Sequence, residues 1–164
     1  MTGETLSGGC QCGAVRYRVT GPLGPSGICH CRMCQKASGN FGMVLVTAPA
    51  RQLEWTRGKP CEFSPTPITV RGFCETCGTP LYMRETGDEN YEMTVGSLDT
   101  PDVAPPASEV GIESKRAWFH TITSLPGHTT SHDRTPEDLA KLVNRQHPDH
   151  DTDEWTPWGQ SPSN

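Results

Sequence analysis

Apolar and polar side chains alternate in short stretches along the first two thirds of the chain. Val15, Tyr17 and Val19 alternate with Ala14, Arg16 and Arg18, the two-residue period of a strand with one buried face. Ile68, Val70 and Gly72 alternate in the same way with Thr69, Arg71 and Phe73, and Tyr91, Met93 and Val95 repeat the pattern ahead of Gly96. Met43-Val44-Leu45-Val46 is a short continuous apolar run, and Leu53-Glu54-Trp55 follows a proline break. Between these stretches lie Gly21-Pro22, Gly24-Pro25, Gly58-Lys59-Pro60 and Pro65-Thr66-Pro67, all turn chemistry. The pattern predicts about seven short strands and a mainly β fold.

The pattern changes near Ser124. Residues 1–123 read as one β domain, and 124–164 as an acidic, proline-rich C-terminal extension. The extension has five prolines, and seven acidic against three basic residues. One helix is expected there, near 136–146, with Thr135 as N-cap, Pro136 at the first helical position, and Glu137 and Asp138 in the first turn. Leu139, Leu142 and Val143 fall on one face of that helix. Trp155 and Trp158 read as anchors that dock the tail, whereas His128, His132, His147 and His150 read as solvated.

Composition makes the core thin. Only 33% of the 164 residues are hydrophobic, while Gly and Pro number 17 and 15. A small domain short of apolar area leans on cross-links or metal. No run approaches the roughly 20 apolar residues of a membrane span. Met1 to Gly9 lacks a basic start and an apolar stretch, so no signal peptide is expected and a cytoplasmic location is. No basic stripe is present to neutralise phosphates, so nucleic acid is not an expected partner.

The eight cysteines carry the chemical signal. Cys10-Gln11-Cys12 is C-x-C, Cys29-His30-Cys31-Arg32-Met33-Cys34 is C-x-C-x-x-C, and Cys74-Glu75-Thr76-Cys77-Gly78 is C-x-x-C followed by glycine. A disulfide framework fits poorly, because neighbours two or three apart form strained bridges. Close pairs suit a metal, with zinc ahead of an iron–sulfur cluster. The most economical partition puts Cys10, Cys12, Cys74 and Cys77 on one closed structural site. It leaves Cys29, Cys31 and Cys34 as three ligands around an open position, the arrangement of catalytic zinc. Counting alone does not fix this partition. Cys61 stands apart and reads as a small hydrophobe rather than a fourth ligand.

These motifs resemble those of a known family. Gly8-Gly9-Cys10-Gln11-Cys12-Gly13-Ala14-Val15-Arg16-Tyr17, the run from Cys29 to Gly39, Gly72-Phe73-Cys74-Glu75-Thr76-Cys77-Gly78-Thr79-Pro80-Leu81, and Gly96-Ser97-Leu98-Asp99 look like the glutathione-dependent formaldehyde-activating enzymes, a family that includes centromere protein V. The likeness spans about residues 5 to 120. It implies a β-tent of several small coiled antiparallel sheets organised around zinc, here with one short C-terminal helix. It also implies two zinc ions in the partition given above. The implied activity is that of a carbon–sulfur lyase or synthase, which makes or breaks the adduct of glutathione with formaldehyde. A thiol- or partner-binding module without turnover, or a redox or zinc sensor, is the alternative. Arg32 and Lys36 would clamp carboxylates of the thiol. His30, between two ligands, is either a proton shuttle or structural, and Asp99 reads as a turn residue. The chain departs from the family pattern where Glu109-Val110 stands in place of His-Ile, and in its acidic extension.

Overall fold

The computed structural model describes residues 5–158. Ten strands form two sheets. The smaller has the order β1 (Thr5–Gly9), β2 (Arg16–Thr20), β5 (Leu53–Arg57), all antiparallel. The larger runs β10 (Ser108–Val110), β3 (Ser26–Cys29), β4 (Met43–Pro49), β9 (Asn90–Thr94), β8 (Pro80–Glu85), β7 (Thr69–Phe73), β6 (Cys61–Phe63). Its neighbours are antiparallel except β10, which lies parallel to β3. Among the described residues no helix is long and apolar enough to cross a membrane.

The mainly β expectation holds, with one helix more than the pattern suggested. Helix α1 (Arg32–Ser38) starts inside the second cysteine motif. The Cys31 side chain caps it, and Gly39 ends it at φ 65° with its N–H on the Gln35 carbonyl. Helix α2 covers Pro136–Lys141 only, short of the expected 136–146. Thr135 does cap it, accepting from the Asp138 N–H. The helix stops because its apolar face finds nothing to pack on: Leu142 and Val143 are 49% and 68% exposed.

Side-chain parity divides the large sheet into two working faces. Val46, Met93 and Tyr82 share one face by register and pack against Tyr17, Val19 and Trp55 of the small sheet. Tyr17, Trp55, Tyr82 and Tyr91 meet there edge-on or tilted at centroid distances of 4.7 to 6.5 Å. Tyr82 lies across Gly72, where any Cβ would stand 2.0 Å from the ring. The opposite face carries Cys29, Met43, Leu45, Thr47, Glu92, Met83 and Arg71, each paired across the strands with the next or in step with it.

The phase of β7 is inverted relative to its hydrophobicity. Ile68 is 57% exposed, while Thr69 and Arg71 are buried. The polar set faces inward because Arg71 has sulfur partners there, described below. In β2, Tyr17 and Val19 are buried as the alternation predicts, but Arg16 is buried too. Its guanidinium forks onto Asp99, at 2.8 Å to Oδ1, and also reaches Asp151 at 2.9 Å. Asp99 is therefore more than a turn residue: it is the counter-ion of a buried arginine and accepts from Ser7 Oγ as well.

The tail returns to the body. His147 donates its backbone N–H to the Gln11 carbonyl, Trp155 Nε1 donates to the Cys12 carbonyl at 2.6 Å, and Arg57 reaches the Thr152 carbonyl. Asp151 bridges Arg16 and Arg18. Trp155 stands edge-on to His147, and Trp158 packs against the main core, as docking anchors should. His147 is not solvated as its surroundings in the sequence suggest; it is 3% exposed. The neighbouring Trp155 supplies the apolar cover that the composition of the tail conceals.

Loss of a buried charge partner should cost far more than loss of an exposed one. Asp99→Ala is expected to lower stability by about 3 kcal/mol in urea unfolding, and Asp151→Ala by less than about 1 kcal/mol. Burial pushes the Asp151 carboxyl up, but Arg16 and Arg18 outweigh it and hold the group below its ordinary pKa. Its stabilisation is thus present above the ordinary value and is lost as pH falls through the folded one. Asp151→Asn should flatten that acid limb, and an unchanged limb would rule the linkage out.

Candidate functional site

All eight cysteines are unpaired thiols, and seven gather into two groups. Cys10, Cys12, Cys74 and Cys77 bring their sulfurs within 4.8 Å of one another, and so do Cys29, Cys31 and Cys34. Both groups follow the partition expected from the spacing. Cys61 joins neither and lies half-buried on β6.

The first group is built from two matching turns. Gly13 N–H returns to the Cys10 carbonyl and Gly78 N–H to the Cys74 carbonyl, with φ of 74° and 75° at the two glycines. Left-handed backbone of this kind favours glycine and frees N–H groups towards sulfur. Val15 N–H accordingly points at Cys10 Sγ at 3.2 Å. Cys10 and Cys12 sulfurs are 3.5 Å apart, Cys12 and Cys74 sulfurs 3.7 Å. A tetrahedral ion with metal–sulfur bonds of about 2.3 Å sets its sulfurs about 3.8 Å apart, so the four residues fit one ion. Burial drives Cys74 up to about 11 and Cys12 higher still. Cys77 is also pushed up by burial, yet the Thr79 hydroxyl and N–H bring it down to about 6. Four crowded thiols with opposed proton affinities are a poor neutral core and a good cation cage.

The second group sits where β3 turns into α1. Cys29 ends the strand, Cys31 caps the helix and accepts from Cys34 N–H at 3.3 Å, and Cys34 lies in the first turn, 1% exposed. Burial pushes Cys29 up to about 12. Burial pushes Cys31 up, but hydrogen bonds from the Cys34 N–H and from the Cys34 and Cys29 thiols outweigh it and hold the group below its ordinary value. Arg71 is the residue that sequence reading missed. It is 5% exposed and donates Nη2 to Cys34 Sγ at 3.2 Å and Nη1 to Met43 Sδ at 3.6 Å. No carboxylate among the described residues pairs with it. A buried guanidinium requires a nearby anion, and here the only candidates are thiolates. Three thiolates around a divalent ion would carry one net negative charge, which Arg71 would balance.

His30 is bonded to a carboxylate and is not part of the sulfur cluster. It is fully buried, its Nε2 lies 3.1 Å from Glu109 Oε1, and Phe119 stands edge-on at 4.7 Å. Lys115 grips both oxygens of Glu109 at 2.7 and 2.8 Å. Glu109, at the position where the chain departs from the family pattern, therefore fixes His30 and with it the Cys29–Cys31 turn. Gln35 ties the same turn to the chain beyond β10 by donating to the His30 and Ser114 carbonyls. Arg32 and Lys36 lie exposed on α1, and Arg32 is engaged with Gln35.

Cavities flank the second group on both sides. One of about 250 Å³ runs over β3, β4 and β9 with Cys29 in its wall. The other, of about 370 Å³, lies beside β7 and is lined by Arg71, Met43, Phe63 and Tyr82. A cavity of similar size over the first group is lined by Cys10 and Cys77 together with Arg16, Asp99 and His147.

Comparison with known proteins agrees with this geometry. The sequence profile of the glutathione-dependent formaldehyde-activating enzymes matches residues 5–114. A protein of Halomonas elongata that provisionally carries the same enzyme name is 28% identical over 123 residues, covering 69% of this chain and 78% of its own. The crystal structure of a Rhodobacter sphaeroides protein shares the fold, with a TM-score of 0.52 at 23% identity, over 63% of this chain and 99% of that one.

The two groups should separate in a metal assay. Zinc-loaded protein is expected to release two ions per chain on denaturation, and Cys34→Ser only one. Arg71→Met should weaken the ion at the second group by about ten- to a hundredfold and leave the first unchanged. Equal weakening at both groups would dismiss Arg71 as a local counter-charge.

Proposed function

This chain belongs to the glutathione-dependent formaldehyde-activating enzyme family, and from that premise we propose that it joins a small thiol, glutathione, to formaldehyde and runs the reverse carbon–sulfur cleavage. The observation that carries the reading is the second group: three thiols within 4.8 Å of one another, no fourth protein ligand among the described residues, and a buried arginine against one of them. Cys29, Cys31 and Cys34 would hold zinc, which when bound lowers the pKa of an entering thiol and orients its sulfur.

The chain's own residues supply the rest. Arg71 would compensate the single net charge that three thiolates and a divalent ion carry, leaving the site neutral before the thiol enters. The His30–Glu109–Lys115 series keeps the turn between Cys29 and Cys31 rigid. His30 then acts by position rather than as a proton shuttle, because the ring nitrogen it bonds with faces Glu109. Arg32 and Lys36, exposed on α1, would meet carboxylates of the thiol, Arg32 by giving up its bond to Gln35. In the forward step a sulfur–carbon bond forms and the carbonyl π pair moves to oxygen. The proton lost by the thiol ends on that oxygen, giving S-hydroxymethyl thiol. Eight free thiols suit a reducing compartment, and the reading places the protein in the cytoplasm.

Exchange NMR at equilibrium between glutathione plus formaldehyde and S-hydroxymethylglutathione tests it. Wild-type protein should accelerate exchange, and Cys34→Ser should match the protein-free blank. Equal rates in all three samples would leave a protein that binds thiols or senses metal without turnover.

A further inference from the structure

The cavity over β3, β4 and β9 holds a carboxylate that the mechanism above does not use. Glu92 lines it together with Cys29, Leu45, Thr47, Met83 and Ser108. Its Oε1 accepts from Thr47 Oγ1 at 2.9 Å. Among the described residues Oε2 has no hydrogen-bond partner, and no lysine, arginine or histidine forms an ion pair with the group. Burial drives its proton affinity up, against the pull of the Thr47 hydroxyl. A half-buried carboxylate is costly without a cation, and this one opens onto the same hollow as a cluster thiol.

Strand register gives the scale of the hollow. Cys29 lies opposite Met43, and Glu92 opposite Thr47. Four residues along β4 and two strand spacings across put the Cα atoms on the order of 16 Å apart. Both side chains stand on the same face, and each spans part of the gap. A ligand with sulfur at the thiol cluster then meets Glu92 through a group roughly 10 Å away. That span suits a short peptide and exceeds the reach of a two-carbon aminothiol. Leu45 and Met83 line the middle, so the intervening segment needs little charge of its own.

We propose that Glu92 determines thiol specificity by binding the ammonium group at the far end of a peptide-sized thiol whose sulfur enters the site at Cys29, Cys31 and Cys34. For glutathione this is the α-ammonium of the γ-glutamyl arm. The proposal rests on the thiol-binding reading of that site. Glu92 is a specificity residue and not a proton donor, because the reacting carbon lies beside the sulfur, at the other end of the hollow.

The test compares binding of two thiols to the zinc-loaded protein by calorimetry: glutathione and glutaryl-cysteinylglycine, the same tripeptide without the amine. Wild type should bind glutathione about ten- to a hundredfold more tightly, the worth of a hydrogen bond to a charged group. Glu92→Gln preserves size and the bond from Thr47. It should weaken glutathione by that factor, leave the analogue within about threefold, and retain two metal ions per chain. In exchange NMR the variant should need a higher glutathione concentration to saturate while its limiting rate stays close to wild type. A full preference retained in Glu92→Gln, or none in wild type, overturns the role of Glu92 and leaves the thiol site standing. Failure of wild type to bind either thiol overturns both.

Discussion

Thiolates gathered within 4.8 Å of one another would repel strongly unless a cation lay among them, and this domain gathers two groups of cysteine sulfurs at that spacing. The rest of the structure follows from how each group is neutralised. The first closes four sulfurs on one point and joins the turn after β1 to the turn between β7 and β8. It thereby fastens the small sheet to the large one, in a chain with little apolar area to do so. The second gathers three sulfurs at a strand–helix junction and leaves one side open. Under the proposed function, one group is a fastening and the other the place where the thiol enters.

The open group shows why a polar residue is worth burying. Arg71 occupies a strand position where an aliphatic side chain would pack well, and its burial inverts the hydrophobic phase of β7. A guanidinium in that place is costly alone and favourable beside anionic sulfur, so the arginine and the thiolates depend on each other. Gly72 belongs to the same arrangement. It lets Tyr82 lie flat against the strand, which keeps the aromatic face of the sheet closed while the opposite face carries the chemistry.

Much of this was legible in the sequence because close cysteine spacing admits few three-dimensional solutions. The short cysteine motifs within each sulfur group, and the capping of α2 by Thr135, follow from local chemistry. What was hidden came from contacts distant in sequence. Arg71 looks like the solvent side of an alternating strand until Cys34, 37 residues away, is placed beside it. Glu109 looks like an edge-strand charge until β10 pairs with β3 in parallel and sets it against His30. Helix α1 escaped because its cap is a cysteine, outside the usual set of capping residues, although Gly39 was a readable stop signal. His147 looks solvated for want of any local sign that Trp155 would cover it.

The extension has a consistent physical role once its landing place is known. It settles on the turn holding Cys10 and Cys12, through the carbonyls of Gln11 and Cys12, and adds Asp151 to the buried Arg16–Asp99 pair. Backbone carbonyls at the outside of a cysteine turn are otherwise left to water, so donors from His147 and Trp155 stiffen the turn without touching its sulfurs. None of these contacts lies on the face of the large sheet that carries Cys29 and Arg71. The tail therefore reinforces the fastening and leaves the entrance clear, a division that ties its deletion to stability rather than to access.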